Sequence, residues 1–154
     1  MPFHQWVLDT NVFYTYCCNS NYIEYENDCV SLLHNLLSFC ENHICWNEDI
    51  KEEYDRVFKR LESTDIGRRF LNWWNQMHDH GKIDMIQPYT PLKTNIHRKD
   101  EKFYQTSANT NDKIFVTCEE KHLSQKKTVY EEHKISVLNI SEALEEVVNN
   151  RANR

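Results

Sequence analysis

Short apolar segments alternate with longer amphipathic segments along the chain. The apolar runs lie at residues 6–8, 44–46, 83–86, 114–116 and 135–140. The first, second and fourth runs are almost continuous, which is the pattern of strands that are buried on both faces of a parallel sheet. The third run is interrupted by Asp84, so we predict that this strand lies at an edge of the sheet.

The segments between these runs carry apolar residues at the spacing of amphipathic helices. Capping residues and a glycine mark where some of the helices begin or end. The predicted helices cover residues 29–40 after an N-cap at Asp28, 50–61, 66–77 before a stop at Gly81, 99–110, and a last segment that is capped by Ser141 and turns Leu144, Val147 and Val148 inward.

Strands that alternate with helices indicate an α/β domain with right-handed crossovers. We therefore predict a single three-layer domain over residues 1–148, with a mostly parallel central sheet of about five strands that is flanked by helices. Residues 149–154 are polar, and we predict that they form a frayed C-terminal tail.

The glycine content excludes two classes of phosphate-binding protein. The chain has 154 residues but only two glycines, Gly67 and Gly81. A Walker loop and a dinucleotide-binding G-x-G-x-x-G motif both need closely spaced glycines to bring the backbone onto phosphate. Neither motif can be formed from these two residues, so nucleotide binding by either device is excluded.

The cysteines and the first residues bear on the compartment. The chain has six cysteines but no C-x-x-C pair, so a zinc site is not expected. Residues 1–10 lack the charged and apolar regions of a signal peptide, and no stretch is long and apolar enough to span a membrane. We therefore expect a cytoplasmic protein with reduced thiols and no membrane association.

Acidic residues follow the predicted strands at the ends where open α/β sheets bind ligands. The first of them is Asp9, whose carboxylate stands directly against a buried apolar strand and therefore needs a polar partner or a cation. The acids that follow the first four strands are Asp9, Glu53 with its neighbour Glu52, Asp100, and Glu119 with its neighbour Glu120.

Clustered carboxylates repel one another, and a divalent cation relieves that repulsion. Oxygen ligands select hard cations such as Mg²⁺ or Mn²⁺. Such a cation activates water and neutralises charge on a phosphodiester. The residues alone therefore predict a metal-dependent phosphodiesterase or nuclease, with solvated surface acids as the alternative.

Several segments of the chain resemble, in order, the motifs of PIN-domain ribonucleases. The sequence VLDTNVF at residues 7–13 is similar to the family's first strand, in which the Asp binds a metal ion and the Asn supports it. The later matches are NEDIKEEYDRV at residues 47–57, Asp100 with Phe103 and Ala108, VTCEEKHL at residues 116–123, and the closing strand and helix at residues 134–148.

The resemblance implies a PIN-like fold and an endoribonuclease that hydrolyses single-stranded or structured RNA with Mg²⁺ or Mn²⁺. It implies that Asn11 and Thr117 orient the ligands, together with Asn47, which stands where the family has Ser or Thr. The residues that it implies as metal-binding and catalytic are Asp9, Glu53, Asp100 and Glu119.

Departures from the family pattern keep other functions open. Glu119 stands where the family usually has Asp, and Cys118 stands where it often has Gly. One alternative is therefore a PIN-like interaction module that no longer cleaves RNA. A receiver-like signalling domain is another alternative, although Asp84 lies inside the third apolar run rather than after it.

Basic residues beside the acidic motifs are candidates for binding RNA, although the formal net charge of the chain is −6. Arg98, Lys99 and Lys121 are the first of these, and contacts with phosphate would make binding salt-dependent. Further basic residues near the same edge of the sheet are Lys93, His97, Lys102, His122, Lys126 and Lys127.

The resembled family includes toxins of the VapC type. The resemblance therefore leaves open an antitoxin or another protein partner, and a homodimer.

Overall fold

A parallel sheet forms the centre of the protein. The computed structural model describes residues 3–87, 92 and 98–152. Within them the strands are β1 (His4–Leu8), β2 (Asn42–Trp46), β3 (Ile83–Met85), β4 (Ile114–Val116) and β5 (Ser136–Leu138). All neighbouring strands are parallel, in the order β3-β2-β1-β4-β5. The predicted α/β class and the predicted edge position of β3 are confirmed.

Helices flank the sheet, as in the predicted three-layer domain. They are α1 (Thr10–Tyr16), α2 (Glu26–Ser38), α3 (Glu48–Leu61), α4 (Asp65–Asp79), α5 (Glu101–Ala108), α6 (Glu120–Leu123), α7 (Lys126–His133) and α8 (Ile140–Ala152). A short 3₁₀ helix, Ile23–Tyr25, leads into α2. None of the described helices combines the length and the apolar character that crossing a membrane requires.

The chain changes its direction of travel across the sheet beside β1. From β1 it passes through β2 to β3 at one edge, and it then crosses to β4 and β5 on the other side. Trp6 of β1 is paired with Ile44 of β2 and with Ile114 of β4. Open α/β sheets bind ligands beyond the carboxyl ends of the strands at such a point, which here lies between β1 and β4.

Aromatic residues from the helices fill the core beside β1. Phe13 of α1 contacts Tyr54 of α3 and Trp74 of α4, with ring centroids 4.7 and 5.4 Å apart. Trp74 is buried as predicted, whereas Ile66 of the same predicted stripe is 39% exposed. The hydroxyl of Tyr54 donates a hydrogen bond to the carbonyl oxygen of Leu8. This bond joins α3 to the carboxyl end of β1.

Two helix starts differ from the predictions. Asp28 is not an N-cap, because the 3₁₀ helix runs directly into α2 and the Asp28 carboxylate accepts a hydrogen bond from the Ser141 hydroxyl (2.6 Å). Ser141 therefore does not cap α8. The side chain of Asn139 accepts from the Glu142 N–H (2.8 Å), and the Glu142 carboxylate accepts from the Asn139 N–H (3.1 Å). This reciprocal pair is a capping box, and the two residues predicted as caps instead connect α2 with α8.

The last helix also differs from the prediction. It passes the domain boundary predicted at residue 148, and the tail predicted to be frayed from residue 149 is helical through Ala152; residues 153 and 154 lie outside the described residues. Val147 is buried as predicted, but Val148 is 47% exposed. The predicted helix over residues 99–110 is shorter, since α5 covers Glu101–Ala108.

Gly67 lies in the first turn of α4, where its N–H donates to the capping hydroxyl of Thr64 (3.1 Å). A Cβ at this position would overlap the carbonyl oxygen of Leu61. We expect Gly67→Ala to lower the free energy of unfolding in urea by about 1–3 kcal/mol. Gly81 is the comparison, because its φ is 78° but no atom of the described residues lies within 4 Å of an added Cβ. A smaller loss for Gly67→Ala than for Gly81→Ala would contradict this account of close packing.

Candidate functional site

Asp9 lies at the point where the chain changes direction, one residue beyond β1. Its N–H donates to the carbonyl oxygen of Val116 (2.8 Å), which continues the pairing of β1 with β4. Its carboxylate accepts from the Thr10 N–H (2.8 Å) as the N-cap of α1. Asp9 is only 3% exposed. The sequence-based expectation of an acid buried at this strand end is therefore confirmed.

The side chains of Thr117 and Asn11 orient the Asp9 carboxylate. The Thr117 hydroxyl donates to Asp9 Oδ2 (2.8 Å), and Asn11 Nδ2 donates to the same oxygen (3.1 Å). Asn11 Oδ1 also accepts from the Cys118 N–H (3.1 Å). Thr117 Oγ1 accepts from the Glu119 N–H (3.1 Å). Thr117 and Asn11 thus fix both the carboxylate of Asp9 and the loop that follows β4.

Burial raises the pKa of Asp9 from 3.8 to about 7. The hydrogen bond from Thr117 opposes this rise, while the charges of Glu119 and Asp100 add to it. Among the described residues, only neutral groups donate hydrogen bonds to this carboxylate. A bound cation would therefore stabilise the ionised form of Asp9.

The four acids predicted to bind metal line one cleft, whose volume is about 510 Å³. The amino group of Lys102 lies 2.6 Å from the carboxylate of Glu53. The amino group of Lys121 lies 3.0 Å from Asp100 and 3.1 Å from Glu119, and these contacts raise the pKa of Lys121. Lysines thus neutralise the acids of the cleft other than Asp9.

The position of Glu53 depends on how α3 begins and packs. Asn47 is the N-cap of α3, where its side-chain oxygen accepts from the Ile50 N–H (2.8 Å). Asn47 therefore positions the helix, and no hydrogen bond among the described residues joins it to the four acids. Its predicted supporting role would act through α3. Glu53 faces the cleft of Asp9, whereas the exposed Glu52 lines a neighbouring cavity of about 340 Å³.

Glu119, rather than Glu120, faces the cleft. Glu119 occupies the N-cap position of α6 and is partly buried, while Glu120 is exposed in the first turn of that helix. Asp100 occupies the N-cap position of α5 without capping it by a side-chain hydrogen bond. Both carboxylates are therefore oriented by Lys121 and by the cleft rather than by their own helices.

His122 lies among these acids. Its basic neighbours in the sequence had suggested that it contacts RNA phosphate. It is only 2% exposed, so it cannot make that contact at the surface. One oxygen of Asp9, one of Glu119 and one ring nitrogen of His122 all lie within 4.8 Å of one another. Burial lowers the pKa of His122. The sequence analysis did not identify His122 as a metal ligand.

Basic side chains share the cleft with the acids. Arg56, Arg60, Lys99 and Lys102 all line it. The two arginines were not predicted, although the spacing could have found them, because Arg56 is three residues after Glu53 and Arg60 is four residues after Arg56. Residues at these spacings share one face of a helix.

The remaining basic residues have different surroundings. Arg98 lies in the neighbouring cavity, which Lys99 also lines. Lys126 contacts Glu142 at 2.7 Å, away from the cleft, and Lys127 is exposed in α7. Lys93 and His97 lie outside the described residues.

The cleft can hold a divalent cation and can attract an anion to the same place. Oxygen donors come from Asp9, Asp100 and Glu119, and a nitrogen donor lies beside them in His122. Compared with protein-family models, with curated proteins and with solved structures, the chain matches none of them. The family resemblance therefore stays a prediction, and the function has to be inferred from the chemistry of the cleft.

Proposed function

We propose that the chain is a metal-dependent endoribonuclease that hydrolyses phosphodiester bonds in single-stranded or structured RNA. The observation that carries this proposal is that carboxylates and basic side chains line the same cleft. Carboxylates can gather a divalent cation, and arginine and lysine bind the phosphates of a nucleic acid. A nuclease that relies on a metal ion needs both groups in one place.

The donor set fits Mg²⁺ or Mn²⁺. Asp9, Asp100 and Glu119 would hold the cation, and Glu53 lies in the same cleft to bind it directly or through water. When bound, such a cation acidifies a coordinated water and stabilises negative charge on the phosphate. The burial that disfavours an isolated Asp9 carboxylate also favours its pairing with a cation over a hydrated, unpaired state.

Each of the other residues then has a definite task. Thr117 and Asn11 donate hydrogen bonds to one oxygen of Asp9. These bonds fix the orientation of the carboxylate towards the cation. The ammonium group of Lys121 contacts both Asp100 and Glu119. A cation that neutralises those acids would therefore free Lys121 to contact an RNA phosphate. Lys102 would respond in the same way at Glu53.

Arginines extend the binding surface away from the acids. Arg56 and Arg60 are exposed on α3 and line the cleft. Arg98 and Lys99 continue the basic surface into the neighbouring cavity. A single-stranded RNA that follows this surface would place one phosphate against the acids. Binding by these groups would weaken as salt concentration rises.

The purified chain is expected to cleave a labelled single-stranded RNA in Mn²⁺ or Mg²⁺ and to stop in EDTA. Glu53→Gln should reduce the cleavage rate by about tenfold or more, since it removes a charged group that would hold the cation. Glu52→Gln is the matched control, because this neighbouring acid faces the other cavity, and its rate should stay near that of the wild type. Cleavage that persists in EDTA, or equal rates for the two variants, would refute the proposal.

A second candidate function is RNA or protein binding without cleavage. It is favoured by Lys102 and Lys121, which already neutralise acids of the cleft. In that case RNA would bind without being cut at any concentration of Mn²⁺. The receiver-like alternative has less support, because Asp84 lies within the edge strand β3 and its carboxylate contacts the ring of His43 (2.8 Å).

A further inference from the structure

We propose that Nε2 of His122 is a ligand of the cation in this cleft, so that the site prefers Mn²⁺ to Mg²⁺. This inference rests on the metal site of the proposed function but not on RNA cleavage. It adds a nitrogen donor to a centre that the sequence predicted to be made of oxygen donors alone. It therefore changes which cation the protein selects.

The first support is an unpartnered polar atom. Nε2 of His122 has no hydrogen-bond partner among the described residues, and the residue is only 2% exposed. Buried polar atoms are rarely left unpaired, because their desolvation is costly. A bound cation would provide the missing partner.

The second support is the direction in which this nitrogen faces. Nε2 is 3.8 Å from Asp100 Oδ2, and the ligand atoms of Asp9, Glu119 and His122 lie within 4.8 Å of one another. Two ligands that are each about 2.0–2.2 Å from one cation are separated by roughly 3–4 Å. Small side-chain shifts would therefore bring these atoms to one ion.

The third support is the way the ring is held. Nδ1 of His122 is 2.8 Å from the hydroxyl of Tyr104, and the ring packs against Phe115 with centroids 5.5 Å apart. Metal-binding histidines commonly donate their other N–H to an oxygen, which fixes the ring and its tautomer. Tyr104 can take that part here and leave the lone pair of Nε2 facing the acids.

The donor chemistry sets the preference. Sites made only of oxygen suit Mg²⁺, whereas imidazole suits transition metals, and affinities for divalent first-row metals rise from Mn²⁺ through Co²⁺ to Cu²⁺. One imidazole with several carboxylates should therefore bind Mn²⁺ more tightly than Mg²⁺, and Co²⁺ more tightly than Mn²⁺. Loss of the imidazole should weaken Mn²⁺ binding and leave Mg²⁺ binding nearly unchanged.

The test uses the metal ions alone, without RNA. We expect electron spin-echo spectroscopy of the Mn²⁺-loaded wild-type chain to show coupling to an imidazole nitrogen. Calorimetry should show Mn²⁺ binding about tenfold tighter than Mg²⁺ binding, and His122→Gln should weaken Mn²⁺ binding by about tenfold, so that this preference is lost. His133→Gln is the matched control. Within the described part of the chain, Nε2 of His133 is also buried without a hydrogen-bond partner, but it lies beside Glu132 in α7.

The outcomes separate this inference from the proposed function. Mn²⁺ binding without nitrogen coupling, or unchanged Mn²⁺ affinity in a folded His122→Gln chain, would overturn the role of His122 while leaving metal-dependent cleavage intact. Failure to bind either cation would overturn both. If His122→Gln does not fold, the coupling in the wild-type chain decides the question by itself.

Discussion

Asp9→Asn is expected to reduce RNA cleavage by about 10²- to 10³-fold, because a lost metal ligand removes several kcal/mol of transition-state stabilisation. The same substitution is expected to make the folded protein more stable at neutral and alkaline pH. The two effects have one origin, which is the burial of the Asp9 carboxylate. The residue is 3% exposed, and among the described residues all of its hydrogen-bond donors are neutral. Function would thus be obtained at the expense of stability.

The stability effect depends on pH in a definite direction. The pKa of Asp9 is raised in the folded state from 3.8 to about 7, so the folded state holds the proton more tightly than the unfolded state. Below about pH 4 the group is protonated in both states, and it adds no penalty. Between about pH 4 and pH 7 the penalty grows as the unfolded chain ionises first, and above pH 7 it stays constant.

The size of the effect follows from the shift. A pKa that rises from 3.8 to about 7 corresponds to at most about 4 kcal/mol of lost stability above pH 7. Asparagine keeps an acceptor for the Thr10 N–H but turns an amide towards Thr117 or Asn11, which costs about 1–3 kcal/mol. We therefore expect a net gain of about 1–3 kcal/mol at pH 8 and a net loss of about 1–3 kcal/mol at pH 4.

Urea unfolding of both chains in EDTA, from pH 4 to pH 8, measures this difference. Asp84→Asn is the control, because Asp84 is a partly exposed acid that contacts His43 at the far edge of the sheet. It should retain cleavage and show no gain that grows with pH. An Asp9→Asn chain that cleaves RNA like the wild type would refute the site, and a constant stability difference across pH would refute the role of burial.

The sequence predicted the buried position of Asp9 well because the signal lies in consecutive residues. A charge that directly follows the buried run at residues 6–8 is visible without knowledge of the fold, and it lies where β1 ends. The parallel order of the strands then brings the end of β4, with Thr117 and Glu119, beside it. Alternation of strands and helices was enough to predict this edge of the sheet as the place for ligands.

The choice between Glu53 and Glu52 could also have been made from the sequence. Glu53 is three residues after Ile50 and four before Val57, and both are buried, so Glu53 borders the apolar face of α3. Glu52 has neither spacing and is exposed. The helical spacing from buried residues therefore indicates which of the two acids faces the core side of α3, which the pattern of acids alone does not.

The burial of His122 among the acids could not be predicted from the sequence, because it depends on tertiary packing. In the chain His122 follows Lys121 and resembles part of a basic surface segment. Its burial arises only because α6 packs its ring against Tyr104 and Phe115, which come from another helix and a strand. No spacing rule connects these residues, so sequence reasoning assigned His122 to the surface.

Thr117→Val is expected to lower RNA cleavage at pH 7 by about 10–100-fold, as is typical when a residue that orients a metal ligand is lost. Thr117 is fully buried, and valine keeps its branched shape while removing the hydroxyl. That hydroxyl donates to Asp9 and lowers the pKa of its carboxyl. Without it the pKa of Asp9 rises above about 7, so less of the carboxylate is ionised at neutral pH.

The sign of the pH effect distinguishes this role from simple loss of packing. A cation competes with the proton on Asp9, so the pH at which Mn²⁺ binding is half complete should move upwards in Thr117→Val, and cleavage should recover partly as pH rises. Thr117→Ser restores the hydroxyl and should return both profiles close to those of the wild type. A loss of activity that is equal at every pH, or a serine variant as impaired as the valine variant, would mean that Thr117 acts through packing. Because the same hydroxyl also accepts from the Glu119 N–H, its removal would loosen two of the proposed ligands together.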